Sequence, residues 1–181
     1  MKKKNIGSVV ALYPTPVTVV GTMVNGKPNW MLVAHIGIVA HDRIMISCAK
    51  AHYTNQGIRE TKKVSVSLVD EAFLKKADKV GCVSGNKEDK SNFLPYEMGE
   101  AGMPIPNDAP LAMECTVEDV YENKLFENFI LKVENTYAAD SVLNEQGKVS
   151  LDNFKPALFS MNTYEYFATG EKLGKCMHMN D

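Results

Sequence analysis

Short apolar runs alternate with turn signals through the first half of the chain, a pattern typical of β-strands joined by hairpins. The run PVTVVGTMV at 16–24 is rich in β-branched residues, and the Asn25-Gly26 pair after it is a strong hairpin signal. PNWMLVAHIGIVA at 28–40 supplies the returning strand, and IMIS at 44–47 supplies the next one after a turn. The pattern therefore predicts three consecutive antiparallel strands.

Farther along, one helix and several more strands are predicted. VSVSLV at 64–69 is a strand, and Asp70 is a plausible N-cap for a helix that places Phe73, Ala77 and Val80 on one face and ends at Gly81.

LAMECTVEDV at 111–120 alternates strictly between apolar and mostly polar positions, which predicts a half-buried strand, and FENFILKVEN at 126–135 continues the meander. The proline- and glycine-rich stretch at 95–110 is predicted to be a surface excursion without regular structure. NEQGK at 144–148 reads as a hairpin tip, and 156–170 contains the last strand. Many short strands with few helices indicate a closed or nearly closed antiparallel barrel.

Composition narrows the class of protein. At 181 residues and 45% hydrophobic, the chain can bury one core, so a single globular domain over residues 1–181 is expected. The net charge of −2 gives no basic field for nucleic acid, and no segment approaches the roughly 20 apolar residues of a membrane span. The start MKKKN lacks a signal-peptide pattern, and the four cysteines lack metal-ligand spacing. A reducing cytoplasm with free thiols is expected.

The stretch ISCAKAHYTNQGIRET at 46–61 contains the first candidate site. A strand end is followed by Ser47, Lys50, His52, Tyr53 and Thr54 just before a helix start. Hydroxyl donors, cations and unpaired backbone N–H groups are what a phosphate requires. The alternative is that Thr54 merely caps the helix while Lys50 and His52 are solvated.

A second candidate site lies in VSGNKEDKSNF at 83–93. Ser84-Gly85 forms a tight polar turn, Lys87 and Lys90 add positive charge, and Asp89 is a possible helix N-cap. The alternative is an exposed loop that carries lysines, since charge clusters are usually solvated.

The strand at 28–37 is a third candidate, this time for a flat heteroaromatic ring. Asn29 could offer a donor and an acceptor, and Trp30 and Met31 could contact such a ring. Alternatively, Trp30 and Met31 are core residues and His35 is a hydrogen-bonded structural histidine. Catalytic triads, paired carboxylates, P-loops and Gly-x-Gly-x-x-Gly patterns do not stand out, so hydrolase and Rossmann dehydrogenase interpretations have little support.

In order along the chain, these segments resemble the flavin reductase-like family of FMN-binding split-barrel proteins, which includes flavoredoxin. The resemblance rests on YPTPVTVVGT, GKPNWMLVAHIG, IMISCAKAHYTNQGIRET, KVSVSLV, GCVSGNKEDKSNF, APLAMECTV and LFSMNTYEYFATGEKLG. It implies a mainly β fold, a six-stranded antiparallel split barrel with a few short helices, usually as a homodimer with one non-covalent FMN in each of two clefts near the interface.

Residue by residue, the resemblance predicts a complete FMN site. Asn29, Trp30 and Met31 would lie along the isoalloxazine, and the ribityl chain would follow the next strand. The phosphate would meet the turn and the lysine loop. The predicted ribityl contacts are Ser47, Cys48, Ala49 and Lys50, and the predicted phosphate contacts are His52, Tyr53 and Thr54, with help from Lys90 of the Ser84-Gly85 segment. Which of Lys50, His52 and Lys90 neutralises the phosphate stays open.

The function that follows from the resemblance is an FMN-dependent oxidoreductase of the flavin reductase or flavoredoxin type, with NAD(P)H as the possible donor. No side chain need act as acid or base, because the cofactor carries the chemistry. The second hypothesis is an electron carrier that does not react with NAD(P)H and docks with a redox partner protein. A third is a split-barrel interaction module that has lost flavin.

Overall fold

Twelve β-strands, two α-helices and one 3-10 helix build residues 1–179, the part of the chain that this computed structural model describes. The strands are β1 (Thr15–Pro16), β2 (Thr18–Val24), β3 (Lys27–Val33), β4 (Ile36–Ala40), β5 (Arg43–Ala49), β6 (Lys63–Leu68), β7 (Tyr96–Met98), β8 (Pro104–Pro106), β9 (Leu111–Glu122), β10 (Phe126–Ala138), β11 (Leu158–Ser160) and β12 (Glu165–Phe167). The helices are α1 (Thr54–Thr61), α2 (Glu71–Gly81) and the 3-10 helix Asp140–Val142. The mainly β class is confirmed.

The main sheet has seven strands in the order β3-β2-β6-β9-β10-β5-β4, with all neighbours antiparallel. Its two edge strands are consecutive in the chain and are joined only by Ala34 and His35. The backbone N–H of Ser47 on β5 donates to the carbonyl of His35 at 2.9 Å, so the β4–β5 pairing continues into this short connection. The sheet therefore curls back on itself.

The predicted six-stranded barrel requires correction. The main sheet has seven strands and not six. Within residues 1–179 it does not close into a barrel, because no ladder joins β3 to β4 or to β5. Instead, β3 pairs with β2, and β4 pairs with β5. The curled sheet with an opening between its edges is consistent with a split barrel.

The β2–β3 hairpin is confirmed at the predicted turn. Asn25 and Gly26 have φ of 51° and 76°, the left-handed conformation that a type I′ turn requires at both central positions. Val24 then pairs with Lys27, which sets the register for the rest of the hairpin. The turn residues thus fix which β3 side chains face which side.

Two buried clusters lie on opposite sides of the curled sheet, because successive strand residues point to opposite faces. The inner core fills the curl and includes Met31, Ile46 and Phe129. The outer core lies between the sheet and α2 and includes Trp30 and Phe73. Neighbouring residues of one strand therefore belong to different cores.

Helix α2 matches its prediction closely. The Asp70 side chain accepts a hydrogen bond from the Phe73 N–H at 2.9 Å, as expected of an N-cap. Phe73, Ala77 and Val80 are buried on one face, and Gly81 is the last helical residue.

No described helix is long and apolar enough to span a membrane.

The prediction that β9 is buried on only one side is wrong. Glu114, on the side expected to face solvent, is fully buried and accepts hydrogen bonds from the N–H groups of Ala101 and Met103, both at 3.0 Å. Burial raises the pKa of Glu114, but hydrogen bonds from Asn135, the two backbone N–H groups and Tyr137 outweigh it and hold this pKa below its ordinary value.

The segment at 95–110 covers this carboxylate and contains the β7–β8 pair, so the prediction that it lacks regular structure is also wrong. Asn144–Lys148 forms the predicted hairpin tip, closed by a bridge between Leu143 and Val149. The predicted last strand is divided into β11 and β12, which form a separate sheet with β1.

Candidate functional site

The first wall of the candidate site is the turn between β5 and α1. The His52 N–H donates to the Ala49 carbonyl at 3.0 Å, and α1 begins at Thr54 after a Tyr53 that makes no side-chain cap. Thr54 is therefore the first helical residue and not the N-cap. Its Oγ1 instead accepts a hydrogen bond from Asn29 Nδ2 of β3 at 2.7 Å, in a buried position.

Two of the backbone N–H groups at the start of α1 that could have bound a phosphate already donate to carbonyls of the protein. The N–H groups of Asn55 and Gln56 donate to the carbonyls of His52 and Tyr53, both at 3.2 Å. An anion at this helix start would therefore depend on side chains and on the N–H of Thr54, which has no acceptor inside the helix.

The second wall is the loop that follows α2. The Ser84 carbonyl accepts hydrogen bonds from the N–H groups of Lys87 and Glu88 at 2.9 and 3.1 Å, which closes a tight turn. The predicted helix after Asp89 does not form, and its carboxylate accepts instead from the Ser91 N–H at 2.9 Å.

Gly85 brings the two walls into contact. A Cβ at this position would lie 2.3 Å from Cδ1 of Tyr53 and 2.6 Å from Oδ1 of Asn29. Only a residue without a side chain can lie this close to the tyrosine ring. The two candidate segments, which lie some thirty residues apart in sequence, thus form one site.

Lys90 is the buried cation of this site. The residue is 5% exposed, and its ammonium donates to the carbonyls of Val80 and Val83 at 2.8 and 2.9 Å. An ammonium has three N–H donors, so one remains for a ligand. Burial lowers the pKa of Lys90, partly opposed by the Glu88 carboxylate.

Between the walls lies a cavity of about 520 Å³. Half of the twelve predicted site residues line it, namely Met31, His52, Tyr53, Thr54, Ser84 and Lys90. A second, more polar cavity of about 380 Å³ shares Tyr53, Gly85 and Lys90 with the first and is lined by Asn29. The structure therefore joins the phosphate candidates from both segments.

His52 differs electrostatically from Lys90. Burial and the positive charge of Lys90 lower the pKa of His52 below its ordinary value of 6.5. The imidazole is therefore mainly neutral at neutral pH, which leaves Lys90 as the buried cation between the two walls, beside the exposed Lys87 that also lines the cavities.

Two predicted residues are occupied elsewhere. Trp30 is fully buried in the outer core, where its ring meets Tyr96 edge to face at 5.9 Å between centroids. Lys50 forms an exposed ion pair with Glu122 at 2.7 Å. Neither residue lines the two cavities.

The remaining predicted residues lie on β5, outside both cavities. Ser47 Oγ donates to Asn128 Oδ1 at 2.6 Å, and the Ala49 carbonyl accepts from the turn. Cys48 is buried, and this burial, together with the Glu127 carboxylate, raises the pKa of its thiol to about 12. The Cys48 thiol is therefore protonated and unreactive at neutral pH.

Sequence reasoning missed the apolar side of the cavity. Leu32, Val80 and Val83 line it, because the end of α2 packs on β3 so closely that a Cβ on Gly81 would lie 3.0 Å from Leu32. The apolar periodicity of α2 was visible in the sequence, but no local signal places its end over β3.

The family profile for flavin reductase-like domains matches residues 10–168 of this chain. The chain belongs to that family. Flavoredoxin from Methanosarcina acetivorans is similar in structure, with a TM-score of 0.93 and 30% identity over 99% of this chain and 98% of the other. Flavoredoxin of Desulfovibrio vulgaris (Miyazaki F) has a TM-score of 0.91 and 31% identity over 99% of this chain and 100% of the other.

More distant structures share the fold of this family member. An FMN-binding protein from Thermus thermophilus has a TM-score of 0.83 and 19% identity over 97% of this chain and 99% of the other. No curated protein matches the chain significantly in sequence.

Proposed function

We propose that this protein binds FMN non-covalently and passes reducing equivalents from NAD(P)H through it to an acceptor. Membership of the flavin reductase-like family supports a flavin. The observation that carries the assignment of the phosphate position is the convergence of Thr54, Tyr53 and Lys90 on one cavity.

Lys90 and Thr54 have the donors that a phosphate needs. The third N–H of Lys90 is free of the two carbonyls, and charge-assisted hydrogen bonds are strong in buried positions. Because Asn29 Nδ2 donates to Thr54 Oγ1, the Thr54 hydroxyl keeps its own proton for an acceptor. Asn29 thus orients Thr54 at the phosphate end, although the resemblance places Asn29 along the ring.

The rest of the cofactor would extend along β3. Met31 lies two residues beyond Asn29, which is about 7 Å along a strand, and it lines the same cavity. We propose that Met31 contacts the ribityl chain or the ring, and that the backbone of residues 47–50 flanks the ribityl chain across the opening. In this proposal Trp30 packs behind β3 in the outer core and makes no direct contact with FMN.

When bound, FMN supplies hydride acceptance and single-electron transfer. The chain's own residues bind and orient it, and the apolar side of the cavity formed by Leu32, Val80 and Val83 excludes water. We assign no catalytic acid or base.

The binding assignment is tested by measuring FMN affinity for single variants. Lys90→Ala and Thr54→Ala should each weaken binding by about 1–3 kcal/mol, because each removes a direct phosphate contact. Lys50→Ala is the matched cation control and should leave affinity unchanged, since Lys50 is paired with Glu122. Unchanged affinity in both test variants would show that the phosphate lies elsewhere.

The reaction with NAD(P)H has a separate test. Anaerobic mixing of the FMN-loaded protein with NADH or NADPH should bleach the flavin at a catalytically useful rate. The alternative, an electron carrier that docks with a redox partner, is supported by the two flavoredoxins near 30% identity. Absence of bleaching with both nucleotides would favour the carrier.

We also propose that the protein is a homodimer in the cytoplasm. The N-terminal arm exposes Ile6, Val9, Val10 and Leu12 by 51% to 82%, and Ile38 on the edge strand β4 is 84% exposed. Exposed apolar groups of this kind favour an interface. Sedimentation analysis should give a dimer, and Val10→Glu with Ile38→Glu should give a monomer. The four free cysteines favour a reducing compartment.

A further inference from the structure

A second buried contact holds the turn of the candidate site from behind. Asn55, the residue after Thr54, is fully buried, and its Nδ2 donates to Glu127 Oε2 of β10 at 2.6 Å. The same Nδ2 donates to the Ala49 carbonyl at 3.1 Å. One amide therefore joins the end of β5, the start of α1 and a carboxylate of the neighbouring strand.

Glu127 holds α1 at two points. Its second oxygen forms an ion pair with Arg59, which lies one helical turn after Asn55. The Glu127 side chain is only 4% exposed. A buried carboxylate is costly unless it is paired and hydrogen-bonded, and here Arg59 and Asn55 satisfy both oxygens.

The register of the sheet explains how this carboxylate reaches the helix. Glu127 lies directly opposite Cys48 of β5, one residue before the strand end at Ala49. The chain leaves β5 there and enters the turn that carries His52, Tyr53 and Thr54. The Glu127 carboxylate is bonded to α1 through Asn55 and Arg59, and the Asn55 amide is also bonded to Ala49 at the end of β5, so these contacts restrict where Thr54 can lie.

We propose that Glu127 is a positioning residue for the phosphate site, acting through Asn55 to hold Thr54 in line with Lys90. This inference rests on the proposed function, in which the cavity between Thr54 and Lys90 receives the FMN phosphate. Thr54 is then held from two sides, by Asn29 on β3 and by the Asn55–Glu127 contact on β10. Glu127 itself makes no contact with the phosphate.

The chain offers a matched control for Glu127. Glu122 lies directly opposite it on β9 and is also ion-paired, but its side chain is 57% exposed and its partner is Lys50. Glu127→Gln is the conservative variant, because its amide oxygen can still accept from Asn55 while the charge is lost.

The experiment measures the FMN dissociation constant, the ³¹P chemical shift of bound FMN and the free energy of unfolding for each variant. Glu127→Ala and Asn55→Ala should each weaken FMN binding about tenfold and shift the ³¹P resonance. The double variant should lose less affinity than the sum of the two single losses, since both changes break the Asn55–Glu127 contact. Glu127→Gln should recover most of the affinity, and Glu122→Ala should match the wild type.

Two results would overturn the inference while leaving the proposed function intact. One is wild-type affinity and ³¹P shift in folded Asn55→Ala and Glu127→Ala. The other is an equal loss in Glu127→Gln and Glu127→Ala, which would mean that charge and not the Asn55 contact matters. If Glu127→Ala does not fold, Asn55→Ala and Glu127→Gln carry the test. Wild-type protein that binds no FMN would overturn both proposals.

Discussion

Two contacts tie the walls of the candidate site to the same strand, β3, yet they lie in opposite environments. Asn29 holds Thr54 through a hydrogen bond of 2.7 Å between residues that are 4% and 2% exposed. Two residues earlier, Lys27 holds Asp89 through an ion pair of 2.6 Å between side chains that are 65% and 53% exposed. The distances are nearly equal.

Water makes these two contacts unequal. Around Lys27 and Asp89 it solvates both charges when the pair opens, so the pair adds little to stability. Asn29 and Thr54 are almost fully buried, so water solvates them far less when the contact is lost, and an unpaired buried polar group is costly. Contact distance alone therefore does not show which contact contributes more to stability. The buried Asn29–Thr54 hydrogen bond should contribute more than the exposed ion pair.

The second wall, the loop after α2, must therefore be held by contacts other than the Lys27–Asp89 ion pair. Gly85 lies against the Tyr53 ring and Asn29, and Lys90 donates to two carbonyls at the end of α2. Lys90 is buried, and Gly85 and Tyr53 are half-buried. We therefore expect the loop to stay in place when the ion pair is removed and to move when Gly85 is changed.

The largest effect is expected for Gly85→Ala. The new Cβ would collide with Tyr53 and Asn29, so it should disturb both walls and destabilise the fold by about 1–3 kcal/mol, with weaker FMN binding. Chemical denaturation and flavin titration measure the two effects. Gly37→Ala is the control, because a Cβ at that position meets nothing within 4 Å. Equal behaviour of the two variants would contradict the close contact.

Thr54→Val should come next. It keeps the shape of the side chain but leaves Asn29 Nδ2 without its acceptor, which should lower the free energy of unfolding by about 1–2 kcal/mol. Thr116→Val removes a hydroxyl with an equally short but exposed bond to Glu134 and should change stability much less. A similar loss in both variants would mean that burial does not decide the value of these contacts.

Asp89→Asn should have a small effect on stability. The Lys27 partner lowers the pKa of Asp89, so any contribution of the pair is present above pH about 4 and is lost as pH falls through the lowered value. Thermal unfolding of wild type and variant should nearly coincide at neutral pH, more closely still in high salt. A large decrease in Tm would show that the exposed ion pair holds the loop.

The smallest effect is a change in the titration of His52. Because burial and the charge of Lys90 lower the pKa of His52, Lys90→Met should raise it toward its ordinary value. Below pH about 6.5 the unfolded state binds more protons at His52 than the folded state does, so His52 lowers the free energy of unfolding as pH falls. This decrease should be smaller in Lys90→Met. An NMR titration of the His52 ring measures this pKa in the wild type and in Lys90→Met. An unchanged pKa in the variant would show that the Lys90 charge does not act on His52.

Much of the local structure was predictable because neighbouring residues determine it. Asn25-Gly26 specified the hairpin and Asp70 specified the start of α2, since each acts through its own backbone or through residues within one turn. Glu114 shows where such reasoning ends. Its alternating position predicted a solvent-facing side chain, but the segment at 95–110 covers it and supplies two N–H donors.

The candidate site shows the same division. The types of residue needed at the proposed phosphate end were visible in residues 47–54 and 83–90, and Thr54 and Lys90 line one cavity. Asp89 was wrongly expected to cap a helix, because its competing partner, Lys27, lies 62 positions away. Asn55 and Glu127 were missed, since an amide and a carboxylate 72 positions apart give no local signal.

The amino-acid sequence by itself determined most strand segments of the main sheet, the Asn25-Gly26 turn, the capped helix and the presence of two polar segments rich in hydroxyl and cationic groups, because backbone preference and apolar periodicity are local. Only the tertiary structure decided that Gly85 lies on Tyr53, that Trp30 packs in the outer core while Met31 lines the cavity, and that Lys90 rather than Lys50 is the buried cation between the walls. These outcomes depend on how a seven-stranded sheet curls and on which distant groups exclude water from one another.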